Sequence, residues 1–262
     1  MKTVGYKSTD EIKKIKRAGQ IIAACHRELQ KKLAAGMKTM DIERFVAAYL
    51  AKRGAVAAQK GFKGYPFASC VSVNEVACHG FPGSYELKNG DIVTVDIVAD
   101  VGGWKADGAW TYMIGDVKPE TRKLVRSAKA ALRAGIQAAH VGSELSDIGY
   151  AIERRVEADG FKVVPSFAGH GIGKELHEEP QVLHTRSQTT GIKLQEGMVI
   201  TIEPIVTAGA TELYIAHDGW TARTIDHALT AQFEHTIAIT KQGPLLLTSL
   251  AAPSKRSSKA KP

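Results

Sequence analysis

Gly90 to Asp107 reads Gly-Asp-Ile-Val-Thr-Val-Asp-Ile-Val-Ala-Asp-Val-Gly-Gly-Trp-Lys-Ala-Asp, and two of its aspartates are spaced to do chemistry together. The Val- and Ile-rich run from Asp91 to Ala99 predicts a strand, Gly102-Gly103 a tight turn, and the residues after it a second strand. Ile92, Thr94, Asp96 and Val98 then share one face. A turn between Val101 and Gly103 sets Asp107 opposite Asp96, or one diagonal step away on that face. Like charges across a strand pair are destabilising, and a bound cation is the usual remedy. Asp96 and Asp107 are therefore candidate metal ligands.

The elements that would hold them recur along the chain. Ser8 and Glu11 form a capping-box pattern opening a helix with Ile12, Ile15, Ile22, Leu29 and Leu33 at helical spacing, expected to run to Gly36. Thr39 or Asp41 should cap a second helix reaching Gly54. Residues 55 to 87 mix Gly, Pro and β-prone runs, with a strand expected from Ser69 to Val76. Pro119-Glu120 then starts a helix with Leu124, Val125, Ala128, Leu132, Ile136 and Ala139 on one side. Gly36, Asp41 and Gly54 reappear as Gly142, Asp147 and Gly160, 106 positions on, and Gly90, Thr94 and Asp96 as Gly197, Thr201 and Glu203, 107 positions on. So long a period excludes a solenoid and implies two similar α+β halves, about 1–117 and 118–250, with a site between them.

The repeat maps Asp96 onto Glu203. A final strand, Ala231 to Thr240, carries Glu234 after the Glu203 strand as Asp107 follows the Asp96 strand. Four converging carboxylates would require about two divalent cations, because Asp and Glu are seldom buried unpaired. Among nine histidines, His79, His170 and His177 stand in unusual company, whereas His26, His140, His184, His217, His227 and His235 do not. His170 lies in Gly-His-Gly-Ile-Gly, where the backbone can approach closely and an imidazole can reach inward. Carboxylate and imidazole donors suit Mn, Fe, Co or Zn, and the absence of thiolate spacing argues against a structural zinc site. No P-loop, His-Glu-x-x-His or Gly-x-Ser-x-Gly is present.

Composition narrows the class. The 262 residues are 44% hydrophobic and 24% charged, as in ordinary globular proteins. No run is long and apolar enough for a membrane span, and the N-terminus lacks a signal-peptide core. Cys25, Cys70 and Cys78 are odd in number, which points to a reducing cytoplasm. Of the net charge of +8, half comes from Lys255, Arg256, Lys259 and Lys261 in a Ser/Lys/Pro tail. The tail, 251–262, reads as a disordered solvated segment, with weak contact to RNA such as a ribosome surface as the rival reading. No specific DNA contact is expected.

Asn74-Glu-Val-Ala-Cys-His79-Gly, Gly169-His-Gly-Ile-Gly, His177-Glu-Glu-Pro, Thr201-Ile-Glu203-Pro and Phe233-Glu234-His-Thr together resemble the signatures of type I methionine aminopeptidases, within the pita-bread metallopeptidases. The resemblance covers about residues 5 to 245. It implies an α+β pita-bread fold, pseudo-symmetric, with antiparallel sheet inside and helices outside, as one catalytic domain over 1–250. It implies two divalent cations held by Asp96, Asp107, His170, Glu203 and Glu234. Glu203 would transfer the proton, His79 and His177 would contact the substrate, and Phe62, Tyr65, Cys70 and Trp220 would line a methionine pocket. Nascent polypeptide N-termini are the implied substrate, and a monomer suffices if one chain completes the site. Only 26 positions separate His177 from Glu203, which leaves no room for the helical insertion of type II enzymes. Ala106, Gln59 and Leu176, with Ala109-Trp110, depart from the family's usual residues and bear on pocket shape. A prolidase-like dipeptidase, or a non-catalytic binding homologue held to nucleic acid by the tail, remains an alternative on the same fold.

Overall fold

The computed structural model describes residues 4–187 and 191–250, so the basic tail lies outside the described residues. Thr9–Gln30 forms α1, with Ser8 and Glu11 making the expected capping box. It ends six residues before Gly36. Lys32 and Leu33 both donate to Leu29 O, which closes the helix, and Gly36, at φ +88°, then donates to Leu87 O at 2.7 Å. A contact with a distant segment, invisible locally, sets that end. Thr39–Ala51 forms α2. Neither expected residue caps it: Lys38 occupies the cap position, Asp41 accepts from Lys38 N, and the Thr39 hydroxyl bonds Gly83.

Short strands Val56–Ala57 (β1), Cys70–Val73 (β2) and Val76–Cys78 (β3) follow. The strand expected over Ser69–Val76 is broken because Asn74 adopts φ +54°. The hairpin is longer than expected, Ile92–Val101 (β4) and Trp104–Met113 (β5), paired antiparallel throughout. Helices Pro119–Ala138 (α3) and Leu145–Ala158 (α4) open the second half. There follow Lys162–Val163 (β6), Gly169–Gly171 (β7), Glu178–Val182 (β8), Val199–Ile202 (β9) and Ile205–Thr207 (β10). Leu213–Ile215 (β11), Ala222–Thr224 (β12), Thr230–Gln232 (β13), His235–Thr240 (β14) and Gly243–Leu246 (β15) complete the described chain. The single strand expected over Ala231–Thr240 is two: β13 pairs with β10 and β14 with β9 and β15. Phe233 and Glu234 lie at the break. Glu203 also stands just outside a strand, because Pro204 has no N–H to continue the ladder.

Every strand pairing among the described residues is antiparallel. In the first half β5 pairs along one edge of β4, and β1 and β2 pair with successive stretches of the other; in the second the order is β15-β14-β9-β7-β8. Helix α1 covers β4 and β5 through a core holding Ile22, Leu29, Val95 and Ile97. Helices α3 and α4 enclose a separate core holding Ile148, Ile152, Ile200 and Ile237. Burying each apolar Leu or Ile is worth about 1.5–3 kcal/mol, and the two clusters anchor the helices to the strands of their own halves.

The sequence repeat is matched bond for bond. Gly36 N donates to Leu87 O at 2.7 Å and Gly142 N to Leu194 O at 2.8 Å; Gly90 N donates to Ile114 O at 2.9 Å and Gly197 N to Ile239 O at 3.0 Å. At the seam, Thr236 Oγ1 accepts from Asp107 N (2.9 Å) and donates to Asp107 O (2.8 Å). Thr111 Oγ1 accepts from Gln232 N (2.9 Å) and donates to Gln232 O (2.7 Å). Thr111 and Thr236 are therefore equivalent, as are Asp107 and Gln232.

Candidate metal centre

Asp96 faces Ala109, and Asp107 faces Val98, so the two aspartates are diagonal neighbours on one face of the hairpin. Glu234 N donates to Ala109 O at 2.8 Å, which brings the third acid to the same place across the seam. Carboxylate oxygens of Asp96, Asp107 and Glu234 lie within 4.8 Å of one another. Glu234 was expected to be the counterpart of Asp107, and the seam corrects this. Counting from Thr236 and Thr111, Glu234 corresponds to Ala109 and Asp107 to Gln232. The halves are alike at Asp96 and Glu203 but supply their other acids from non-equivalent positions.

His170 stands between Asp107 and Glu203, its Nε2 3.8 Å from Asp107 Oδ2 and 3.6 Å from Glu203 Oε1. The glycines beside it are there for space: a Cβ on Gly169 would meet Thr201 O at 2.4 Å, and one on Gly171 would meet Glu179 O at 2.2 Å. His170 Nδ1 lies 2.9 Å from Gly171 O, a contact that requires the proton on Nδ1. Burial holds the ring neutral, lowering its pKa to about 3, with His177 adding to the effect. The Nε2 lone pair then points at carboxylate oxygens. Acceptors facing acceptors repel, and a cation between them, or a proton on a carboxylate, reconciles them.

The acids give the same answer. Asp96 Oδ1, Asp107 Oδ1 and Glu234 Oε1 are buried without a hydrogen-bond partner. Burial raises the Asp96 pKa to about 6 and that of Glu203 to about 8. Asp107 and Glu234 are pushed well above their ordinary values, by burial first and then by neighbouring carboxylates. A donor set of four carboxylates and one neutral imidazole, with orphaned oxygens, fits hard or borderline divalent cations. Thr201 Oγ1 donates to Glu203 Oε1 at 2.7 Å and accepts from His170 N at 2.9 Å, tying two of these groups together.

A cavity of about 210 Å³ opens onto the cluster. Asp96, Asp107, His170 and Glu203 line it together with Phe62, Tyr65, Cys70, Trp220, His79 and His177, and Cys70 lies opposite Asp96 across the β2–β4 pairing. Tyr65 meets Trp220 edge-on at 5.1 Å. His177 sits 4.2 Å from His170 and 5.1 Å from Phe62, ring centre to ring centre. His79, in the left-handed region at φ +54°, stands edge-on to Phe167 and Trp220. Such backbone strain in a non-glycine residue is tolerated where the surroundings fix a side chain. Burial lowers the pKa of both histidines, that of His177 to about 4. Glu234 alone of the expected residues does not line this cavity; it lines a second one, with Trp110, Phe233 and His235.

Some site residues escaped the sequence reading. His184, set aside as ordinary, is buried behind the cluster, and its Nε2 accepts from Glu203 N at 3.1 Å. Phe167 walls the cavity, and Thr236 holds Asp107 by its backbone. No spacing in the sequence marks His184, because its role depends on the segment after β8 meeting the backbone at Glu203. Thr236 was legible only once the seam was known.

Residues 13–241 match metallopeptidase family M24. Methionine aminopeptidase 1 of Bacillus subtilis is 41% identical over 242 residues, covering 92% of this chain and 98% of the relative. The crystal structure of methionine aminopeptidase from Thermotoga maritima superposes with a TM-score of 0.92 at 39% identity, covering 95% of this chain and all of that one. The prolidase of Pyrococcus furiosus shares the fold at 22% identity, with a TM-score of 0.76 over 66% of its length.

Proposed function

Because this chain belongs to metallopeptidase family M24 and has the pita-bread fold, we infer from its site that it is a methionine aminopeptidase, removing the N-terminal methionine of polypeptides. The observation that carries this is one cavity lined both by the carboxylate–imidazole cluster and by Phe62, Tyr65, Cys70 and Trp220, which we assign to the methionine side chain. Asp96, Asp107, His170, Glu203 and Glu234 hold two divalent cations in this reading. Bound there, they supply an activated water and a Lewis-acid pull on the scissile carbonyl.

The remaining work falls to side chains. Glu203 keeps Oε1 engaged by Thr201, which leaves Oε2 to take the water proton and deliver it to the leaving amine. Burial raises its pKa, so the pit favours a proton there, and cations held by the same residues would lower it toward the range useful for proton transfer. His177, neutral, donates an N–H to the developing oxyanion, and His79 holds the substrate amide. Phe62, Tyr65, Cys70 and Trp220 exclude water around the methionine side chain. Crowding by His79, His177 and Phe167 at the exit calls for a small second residue.

We place the enzyme in the cytoplasm as a monomer, acting on nascent chains. No helix of the described residues is long and apolar enough to cross a membrane. Activity of metal-reconstituted protein on Met-Ala-Ser, against Met-Pro and Ala-Pro, is the deciding measurement. Cleavage of the proline dipeptides in place of Met-Ala-Ser would assign the site to a prolidase.

A further inference from the structure

The wall of the side-chain cavity is not apolar throughout. Gln59, 6% exposed, lines it beside Tyr65 and Cys70. Val98 N donates to Gln59 Oε1 at 2.8 Å, which settles the oxygen end of the amide. Gln59 Nε2 then gives one hydrogen to Cys70 Sγ at 3.3 Å. A primary amide carries two, and the second meets no acceptor among the described residues. The Tyr65 hydroxyl points its own proton at Ser69 O and Gly80 O, both at 3.2 Å. A clamped, buried donor is thus left on the wall of the pocket.

An unmade hydrogen bond costs free energy, so the pocket favours an occupant that brings an acceptor to this N–H. A hydrocarbon side chain brings none, a thioether sulfur a weak one, and a sulfoxide oxygen a strong one. We propose that Gln59 lets this site accept N-terminal methionine sulfoxide as a second substrate class, and makes it prefer methionine to norleucine. The inference rests on the aminopeptidase reading above. Chemically the reaction is the same hydrolysis. One water adds across the first peptide bond, the C–N bond breaks, the proton goes to the leaving amine, and the sulfoxide departs unchanged, so no reductant is consumed. A donor fixed at both ends also discriminates between sulfoxide epimers, since the sulfur is stereogenic.

The test compares kcat/KM of the metal-loaded full chain on Met-Ala-Ser, norleucyl-Ala-Ser and both epimers of the sulfoxide tripeptide. Quenching of tryptophan fluorescence by the free amino acids provides a readout independent of turnover. Norleucine should fall about tenfold below methionine, and one sulfoxide epimer should come within about tenfold of methionine and exceed the other by about tenfold. Gln59→Leu should bring norleucine level with methionine and lower the favoured epimer about tenfold relative to methionine. Neither epimer binding or being cleaved, while Met-Ala-Ser is, would overturn the inference and leave the aminopeptidase reading standing. Failure on all four peptides overturns both. Should Gln59→Leu misfold because Val98 N loses its partner, the wild-type ratios decide, with Gln59→Glu, which keeps an acceptor for Val98 N and removes the donor. Unchanged ratios in a folded variant would remove Gln59 from the role.

Discussion

Asp96 lies within a ten-residue strand whose partner strand follows a two-glycine turn, whereas Glu203 stands just beyond a four-residue strand and meets Glu234 across a break between β13 and β14. The first pair is built by local pairing, the second by long-range assembly. Two seam threonines, Thr111 and Thr236, occupy equivalent places, yet only Thr236 holds an acid-bearing backbone. Similar halves have thus been loaded asymmetrically: the hairpin supplies two fixed carboxylates, and the second half supplies the acid in contact with His170 and Thr201. Duplication provides the frame, and the positions of the second acids provide the division of labour.

The largest effect expected from this asymmetry is on the pH dependence of metal-free stability. Asp96 and Glu203 have folded pKa values raised to about 6 and about 8, above ordinary values of 3.8 and 4.5. A raised folded pKa means the native state holds the proton longer, so this stabilisation is complete below about pH 4 and lost as pH rises through 6 and 8. Each unit of elevation is worth about 1.4 kcal/mol, so the metal-free chain should lose several kcal/mol by pH 8. Divalent cations should raise Tm far more at pH 8 than at pH 5. Asp96→Asn should remove the lower part of the loss and Glu203→Gln the upper part. A metal-induced shift independent of pH would contradict the burial of these acids.

Next comes catalysis. Glu203→Gln should fold, by circular dichroism, and lose about 10³-fold in kcat/KM on Met-Ala-Ser. Turnover near the wild-type rate would sink its proton-transfer role. His79→Ala and His177→Ala should each lose about 10²-fold while retaining metal by elemental analysis. If either emptied both metal positions, that histidine would be a ligand and not a substrate contact. The smallest effect concerns the seam. Thr236→Val and Thr111→Val should each cost about 1–3 kcal/mol in denaturant unfolding, because each strips a backbone N–H and C=O of their partner. Thr236→Val alone should also weaken metal affinity; equal metal affinity in the two variants would erase the asymmetry.

Much of this was legible in the chain. The hairpin, its two aspartates on one face and the helix pairs could be read because strand alternation, glycine turns and capping are local. The duplication could be read because glycines with positive φ recur where the backbone demands them, at Gly36 and Gly142 and at Gly90 and Gly197. The end of α1, the break at Phe233-Glu234 and the role of His184 were not legible, since each depends on a segment far away in sequence.

Residue types and spacing, taken alone, determined that two halves would bring carboxylates and an imidazole together, because periodicity and repetition are properties of the sequence. Tertiary structure decided which atoms face which. It placed Glu234 in register with Ala109, turned the His170 lone pair toward the acids, set His184 against Glu203, and clamped the Gln59 amide between Val98 N and Cys70 Sγ. Those outcomes follow from the crossing of separate strands at the seam, where distance along the chain carries no information about distance in space.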